Sequence, residues 1–267
     1  MTKFTQILAQ KAIIGMIHIE ALPGTPKFAD DIPKIIAKAL DEASIYQANG
    51  IDALMIENMH DVPYLKNDVG HEISSLMAII AYQIKQQTGL PLGIQILAGA
   101  NKAALSAAKN AGADFIRAEG FVFGHVADEG YIDSNAAELL RFRKHISAND
   151  IAVFTDIKKK HSSHAVTDDL DIAEMAHAAE FFLADGVIVT GMHTGDTADS
   201  SEINKVKSAT KLPVIVGSGI NYENISEYLP LADAFIVGSY FKKDGYWEND
   251  LDAQRINEFM KKVNSLR

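Results

Sequence analysis

Ile151-Ala152-Val153-Phe154-Thr155-Asp156-Ile157-Lys158-Lys159-Lys160-His161-Ser162-Ser163-His164 is a short apolar run that ends abruptly in a carboxylate, three ammonium groups and two imidazoles. An unbroken apolar run of this length reads as a strand buried on both faces. Its polar end does not complete a core; it brings acid, base and ligand chemistry to the lip of a scaffold. The neighbouring sequence says which scaffold. Similar β-type runs recur at 13–18, 52–57, 92–97, 114–118, 186–190, 213–217 and 234–238. Between them lie stretches with helical spacing: Ile32, Ile35, Ile36, Ala39, Leu40 and Ala43; Ile73, Leu76, Met77, Ile80 and Ile84; Ile172, Met175, Ala176, Ala179 and Phe182. A last helix is predicted near 251–265. Eight strand–helix units in a chain of this length predict one (β/α)8 TIM barrel, with an open doubly wound sheet as the alternative. No Gly/Ser-rich or Pro-rich linker interrupts the pattern, so residues 1–267 read as a single domain.

Composition bounds the function. The net charge of −10 disfavours nonspecific nucleic-acid binding and docking on anionic lipid. The absence of cysteine excludes disulfides, thiol nucleophiles and thiolate metal sites, and fits a reducing cytoplasm. No segment reaches the roughly 18 apolar residues of a membrane span, and the first residues show no apolar h-region of signal-peptide type. A homo-oligomer is the default expectation for a soluble barrel.

Loop lengths place the site. Helix-to-strand connections are short (Asn49-Gly50-Ile51, Gly89-Leu90-Pro91, Ala111-Gly112-Ala113, Ala184-Asp185), whereas several strand-to-helix connections are long, near 58–71, 119–132, 156–168 and 191–199. Long loops after strand C-termini mark the catalytic face of such barrels. Histidines 18, 60, 71, 125, 161, 164 and 193 fall at strand ends, in those loops or just beyond them.

Strands also end in polar residues two apart, which share a face: His18/Glu20, Arg117/Glu119 and Asp156/Lys158. With Glu57-Asn58 and Gln95 they are expected to converge over one pocket, either as an ion-pair belt or as general acid–base groups. Asp156, Lys158, Glu57 and Glu119 are the catalytic candidates. His18, Glu20, Asn58, Gln95, Arg117, His161 and His164 are the substrate-binding candidates. Gly217-Ser218-Gly219, before a helix expected near Asn221, and Gly238-Ser239 would let backbone N–H groups approach a phosphate. Asp156, His161 and His164 would suit a divalent metal, and a desolvated Lys158 would suit a Schiff base or proton transfer. Thr190–Thr197 reads as a lid, and the aromatics of Phe121-Val122-Phe123-Gly124-His125-Val126 would cover substrate or meet a second subunit.

Several strings together resemble the BtpA/SgcQ family: Gly15-Met16-Ile17-His18 with Ala21-Leu22-Pro23-Gly24-Thr25-Pro26, Ile56-Glu57-Asn58-Met59-His60-Asp61-Val62-Pro63-Tyr64, Arg117-Ala118-Glu119-Gly120, Asp156 to His164, and Val216-Gly217-Ser218-Gly219. The resemblance spans nearly the whole chain. It implies a TIM-type barrel, a site at the strand ends and a link to photosystem I biogenesis or carbohydrate-type gene clusters; peripheral membrane association would follow from the former. It assigns no reaction. Asp156-x-Lys158 is also similar to the start of the Asp-x-Lys-x-x-Asp signature of orotidine-phosphate decarboxylase barrels, but His161 replaces the last Asp and the strand is the fifth. The expected function is an enzyme on a phosphorylated small metabolite, a lyase, isomerase or glycosidic-bond hydrolase. The alternatives are a non-catalytic assembly or stability factor and a metabolite-binding regulatory barrel.

Overall fold

The computed structural model describes residues 8–191 and 196–267. Numbered in chain order, its strands are β1 (Ala12–His18), β2 (Ala53–Glu57), β3 (Leu92–Gln95), β4 (Phe115–Ala118), β5 (His125–Ala127), β6 (Gly130–Ile132), β7 (Ala152–Asp156), β8 (Ser162–Ser163), β9 (Gly186–Val189), β10 (Val214–Val216) and β11 (Ala234–Val237). The helices are α1 (Ile32–Ala48), α2 (His71–Thr88), α3 (Asn101–Ala111), α4 (Ala136–His145), α5 (Ile172–Phe181), α6 (Ser200–Ala209), α7 (Ile225–Tyr228) and α8 (Ala253–Leu266). β1, β2, β3, β4, β7, β9, β10 and β11 pair in parallel and close into a barrel. Each apolar run of the sequence falls on one of them, and the open-sheet alternative is ruled out by the β1–β11 pairing that closes the ring.

The strands read as continuous apolar runs because both faces are buried. Ile14, Met16, Met55, Phe115, Phe154, Ile188, Ile215 and Ile236 fill the barrel interior. Their alternates, such as Ile13, Ile17, Leu54, Ile116 and Val153, pack outward against the helices. The interior mixes large and absent side chains. A Cβ on Gly93 would lie 2.1 Å from the Phe115 ring, and one on Gly186 would lie 2.3 Å from Phe154. Those two glycines leave room for the two rings, which meet edge to face at 5.9 Å.

One device recurs four times at the foot of the barrel. Asp52, Asp114, Asp185 and Asp233 stand just before β2, β4, β9 and β11. Each carboxylate accepts the N–H of a residue on the preceding strand, Ile13, Leu92, Val153 and Val214 respectively, at 2.8 Å. Each aspartate's own N–H donates to the carbonyl of that same residue, at 2.8 to 3.2 Å. A cation neutralises each carboxylate: Arg267, Lys85, Arg143 and Lys207.

The helices largely keep their expected stripes, with two departures. Ile32 and Phe182, counted into the apolar stripes of α1 and α5, are exposed at 39% and 45%. The loop expected at 119–132 contains the β5–β6 hairpin, turned at Asp128-Glu129, and β8 from the loop after β7 adds to its edge. These strands are too short for a periodicity to register. Phe121 is fully buried, with Val122 and Phe123 packed against the same core, so this segment anchors the hairpin; Val126, at its end, is exposed. The helix after β10 starts at Ile225, not near Asn221, and is a single turn. Asn221 and Asn224 occupy the gap with reciprocal side-chain-to-backbone bonds of 2.9 Å.

Asp114→Ala is expected to lower unfolding free energy by about 2–3 kcal/mol, because it strands the Leu92 N–H and leaves Lys85 only the Leu90 carbonyl. Asp114→Asn, which keeps an acceptor, is expected to lose less. Urea denaturation checks both, and equal losses would reject the charge-assisted part of the argument.

Candidate active site

Strand alternation carries the inward face from an apolar interior to a polar mouth. The last inward residues are His18 on β1, Glu57 on β2, Gln95 on β3, Arg117 on β4 and Asp156 on β7; Gly217 and Gly238 follow β10 and β11. The register sets His18 beside Glu57 and Glu57 beside Gln95. Above this layer lies a cavity of about 490 Å³ at the C-terminal end of the strands. It is bordered by His18, Glu57, Gln95, Arg117 and Glu119, by Lys159, Lys160 and His161, and by the two Gly-Ser turns.

Arg117 is gripped by Asp156 through two bonds, Nε to Oδ2 and Nη2 to Oδ1, both 2.8 Å. Burial works against the guanidinium charge, but Asp156 more than offsets it and raises its pKa above the ordinary value. Asp156 has both oxygens committed, and its side chain is fully buried behind Arg117, outside the cavity lining. It holds and aims the Arg117 cation from outside the cavity lining, whereas it was expected among the groups that line it.

Glu119 is aimed inward because Asn101 extends β4 by one residue. Asn101 accepts the Glu119 N–H at 3.1 Å and donates to its carbonyl at 2.7 Å. Gln95 donates to Glu119 Oε1 at 2.8 Å, and Lys159 stands 3.1 Å from Oε2. Burial opposes the Lys159 charge, but Glu119 outweighs it, so its pKa is raised. Glu57 and Lys160 are different. Burial, with help from Glu119 and Asp156 against Arg117 and Lys160, raises the Glu57 carboxyl pKa. Burial, with Arg117, lowers the Lys160 ammonium pKa. Each sits in the other's field, yet no salt bridge joins them among the described residues.

His18 is buried, and its Nδ1–H donates to the Trp247 carbonyl at 3.3 Å, which leaves Nε2 as an acceptor. Burial and the Lys242 charge push its pKa down to about 3, so it is neutral at physiological pH. The Trp247 ring also packs on His60, with centroids 4.8 Å apart and planes tilted by 48°.

Other expected residues stand elsewhere. Glu20 lies past the end of β1, where alternation stops, and pairs with Lys38 on α1. Asn58 is buried and consumed by the scaffold, accepting the Leu97 N–H at 2.7 Å and donating to Asp61 at 2.8 Å. Lys158 has φ +47 just after β7 ends, and it borders a small side cavity with His125 and His164. The Asp-x-Lys juxtaposition of the decarboxylase signature is therefore not formed. His164 Nε2–H donates to the Lys159 carbonyl at 2.9 Å, so it braces the loop. Asp156, His161 and His164 do not converge, and among the described residues no three His, Asp or Glu side chains gather as metal ligands. His193 and most of the expected Thr190–Thr197 lid lie outside the described residues. Tyr64, Asp128, Glu129, Lys159 and Lys160 border the cavity although spacing did not single them out.

Both Gly-Ser turns face the cavity, on the side of the ring opposite β3 and β4. The Ser218 hydroxyl is taken: it donates to the Asp196 carbonyl at 2.9 Å and accepts the Gly191 N–H at 3.1 Å. Gly219 has φ +73, and a Cβ there would lie 2.3 Å from the Asp196 carbonyl oxygen. Among the described residues, the N–H groups of Gly219, Ile220, Ser239 and Tyr240 have no backbone acceptor. The donors of Gly219 and Ile220 lie in a turn, and those of Ser239 and Tyr240 open a three-residue 3-10 helix, Ser239–Phe241.

A closed (β/α)8 barrel with a charged, partly buried cavity at its C-terminal mouth is the class of protein defined here. The chain belongs to the BtpA family, whose model matches residues 9–265. It is 51% identical to a Caenorhabditis elegans protein labelled mitochondrial, over 96% of this chain and 94% of that one. It is 31% identical to the photosystem I biogenesis protein BtpA of Synechocystis, over 97% and 90%. Among solved structures, (S)-3-O-geranylgeranylglyceryl phosphate synthase from Thermoplasma acidophilum, in complex with its substrate sn-glycerol-1-phosphate, aligns with TM-score 0.60 at 17% identity over 99% of both chains. Thiamine phosphate pyrophosphorylase from Pyrococcus furiosus aligns with TM-score 0.59 at 14% identity over 97% and 98%. These structural likenesses show the fold. Among the described residues no helix is long and apolar enough to cross a membrane.

Two pKa values give a pH dependence of stability. His18 and His125 are held neutral, with pKa values of about 3 and about 4; burial is the larger cause in each, aided at His125 by Lys159. Below the ordinary value near 6.5 the unfolded chain binds protons that the fold refuses. Stability is therefore full above that value and falls as pH drops toward the folded pKa values. Replacing both with Gln is expected to flatten the decline in urea midpoint between about pH 7 and about pH 4.5. An unchanged slope would reject the assignment.

Proposed function

We infer that this barrel is an enzyme acting on a phosphorylated small metabolite, a sugar or nucleoside phosphate, by acid–base chemistry in its C-terminal mouth. The observation that carries the reading is the shared cavity: Glu57, Glu119, Arg117 and Lys160 face two turns that offer unpartnered backbone N–H groups. In this reading the turns at Gly217–Ile220 and Gly238–Tyr240 hold the phosphate. Glu57, whose raised pKa brings it nearer neutrality, gives and takes the proton. Arg117, kept charged by Asp156, stabilises negative charge as it develops on substrate oxygen. His18 Nε2 and Gln95 orient hydroxyl groups. The phosphorylated ligand in the synthase from Thermoplasma acidophilum supports the phosphate end of the assignment. Lyase, isomerase and glycosidic-bond chemistry all need such a set.

A second reading, an assembly or stability factor of the kind named in the Synechocystis relative, draws on one observation. Phe181, Phe182 and Leu183, at the end of α5 and so at the opposite end of the barrel, are 81%, 45% and 69% exposed. It requires no chemistry at the mouth.

A thermal-shift panel of sugar phosphates, nucleotides and inorganic phosphate discriminates, because a ligand of the native state raises Tm. At least one phosphorylated compound is expected to stabilise both the wild type and Glu57→Gln. Glu57→Gln is expected to lose roughly 10²–10⁴-fold in turnover of that compound, followed by phosphorus NMR. No stabilisation by any phosphate-bearing compound would sink the enzyme reading. Loss of partner binding on Phe181→Ser with the mouth intact would favour the second.

A further inference from the structure

We propose that Lys160 is a covalent catalyst that forms an imine with the carbonyl group of a phosphorylated aldehyde or ketone. The proposal rests on the phosphate-site reading above and narrows its substrate class. Two lysines border the cavity. Lys159 is held by Glu119 at 3.1 Å. Lys160 has no ion-pair or hydrogen-bond partner among the described residues, so its amine is available to a ligand. Its electrostatic neighbours are Arg117, Glu57, Asp156 and Glu119 at the ends of β2, β4 and β7, with His18 at the end of β1. The Gly-Ser turns follow β10 and β11, with β4 on the far side of the ring. A ligand phosphate in the turns therefore directs the rest of a small molecule toward the amine and the carboxyl groups.

The chemistry needs a neutral amine and an acid in one cavity, and burial shifts Lys160 and Glu57 toward those forms. Burial with Arg117 disfavours the Lys160 ammonium, and burial keeps a proton on Glu57 to higher pH than usual. The Lys160 nitrogen pair attacks the carbonyl carbon, and the C=O π pair moves to oxygen. With a proton relayed from nitrogen to that oxygen, a carbinolamine results. The carbinolamine hydroxyl leaves as water with the Glu57 proton, while the nitrogen pair forms the C=N bond. The products are an iminium and the Glu57 carboxylate. A neutral pair thus becomes an ion pair inside the same cavity, without change in net charge. The iminium withdraws electrons from the adjacent carbon, so a carboxylate beside it can remove a proton there or assist cleavage of the next carbon–carbon bond. Lyase and isomerase chemistry follow from this arrangement more directly than glycosidic-bond cleavage.

Pyridoxal 5′-phosphate, an aldehyde that carries a phosphate, is the probe. The full chain is mixed with about one equivalent, reduced with borohydride and mapped by peptide mass spectrometry. The adduct is expected on Lys160, with pyridoxal lacking the phosphate labelling roughly tenfold less and inorganic phosphate suppressing the label. Lys160→Arg is expected to lose it and Lys159→Arg to keep it. Labelling of Lys160 is expected to rise at lower pH than labelling of surface lysines. Label spread over surface lysines, or retained in full by Lys160→Arg, overturns the proposal. If phosphorylated compounds raise Tm but Lys160 is never reduced to an adduct, the imine falls and the phosphate site stands. If pyridoxal and its phosphate label Lys160 equally and inorganic phosphate does not compete, the phosphate site falls and the reactive amine stands. If Lys160→Arg does not fold, the wild-type peptide map and its pH profile decide.

Discussion

The double hydrogen-bond clamp at the foot of the barrel is the constraint from which the site follows. Asp52, Asp114, Asp185 and Asp233 each tie the start of one strand to its predecessor through both an N–H and a carbonyl. Four such clamps fix the strands in pairs around the ring. Side chains alternate with period two, so a slip of one residue would turn a whole strand inside out. The register set at the foot is therefore what points Glu57, Gln95 and Arg117 into the mouth several residues later. The carboxylates of the clamp and those of the site lie at opposite ends of the same strands and do different work.

The mouth collects three carboxylates, on Glu57, Glu119 and Asp156, and three cations, on Arg117, Lys159 and Lys160. Burying charge is costly unless it is paired and hydrogen-bonded. Asp156 with Arg117 meets that condition through two 2.8 Å bonds. Glu119 meets it in part through Gln95 and Lys159. Among the described residues Glu57 and Lys160 have no such partner, and the directions of their pKa shifts agree: each moves toward its neutral form. A pair left unsatisfied inside an otherwise paired cluster is the place where a ligand gains most by supplying the missing interactions. The paired residues make this possible by holding the field around Glu57 and Lys160 constant.

The barrel was legible because eight apolar runs and helical stripes repeat, and repetition survives errors at any one element. The inward polar layer was legible as far as the strands extend. His18, Glu57, Gln95 and Arg117 obey alternation, and Glu119 does so because Asn101 prolongs β4. Glu20 and Lys158 were misplaced because β1 and β7 end first. Spacing has no meaning once the chain leaves the sheet. Asn58 was misread because a buried amide looks the same in sequence whether it binds a ligand or a neighbouring loop. Lys159 and Lys160 were visible as part of a basic triplet, but which of the three faces the cavity depends on the left-handed turn at Lys158. The aspartate clamps do carry a sequence signal: Ala113-Asp114, Ala184-Asp185 and Ala232-Asp233, with Ile51-Asp52, each stand just before alternate strands of the barrel.

The loop that delivers Lys159 and Lys160 needs support of its own. Lys158 and His161 both adopt positive φ, at +47 and +55, a conformation that costs a residue with a side chain roughly 1–2 kcal/mol. Local conformation of that kind persists where surrounding contacts over-determine it. Here the contacts come from outside the barrel. β8 pairs with β5, so the loop after β7 joins the hairpin after β4 in one small sheet. Phe121 sinks the base of that hairpin into the core. His164 donates to the Lys159 carbonyl, and His125 lies 5.6 Å from the His164 ring. Of the two histidines that invited a metal reading, His164 thus serves the backbone and His161 borders the cavity. By holding one strained loop, these contacts place Lys159 against Glu119 and bring Lys160 to the cavity.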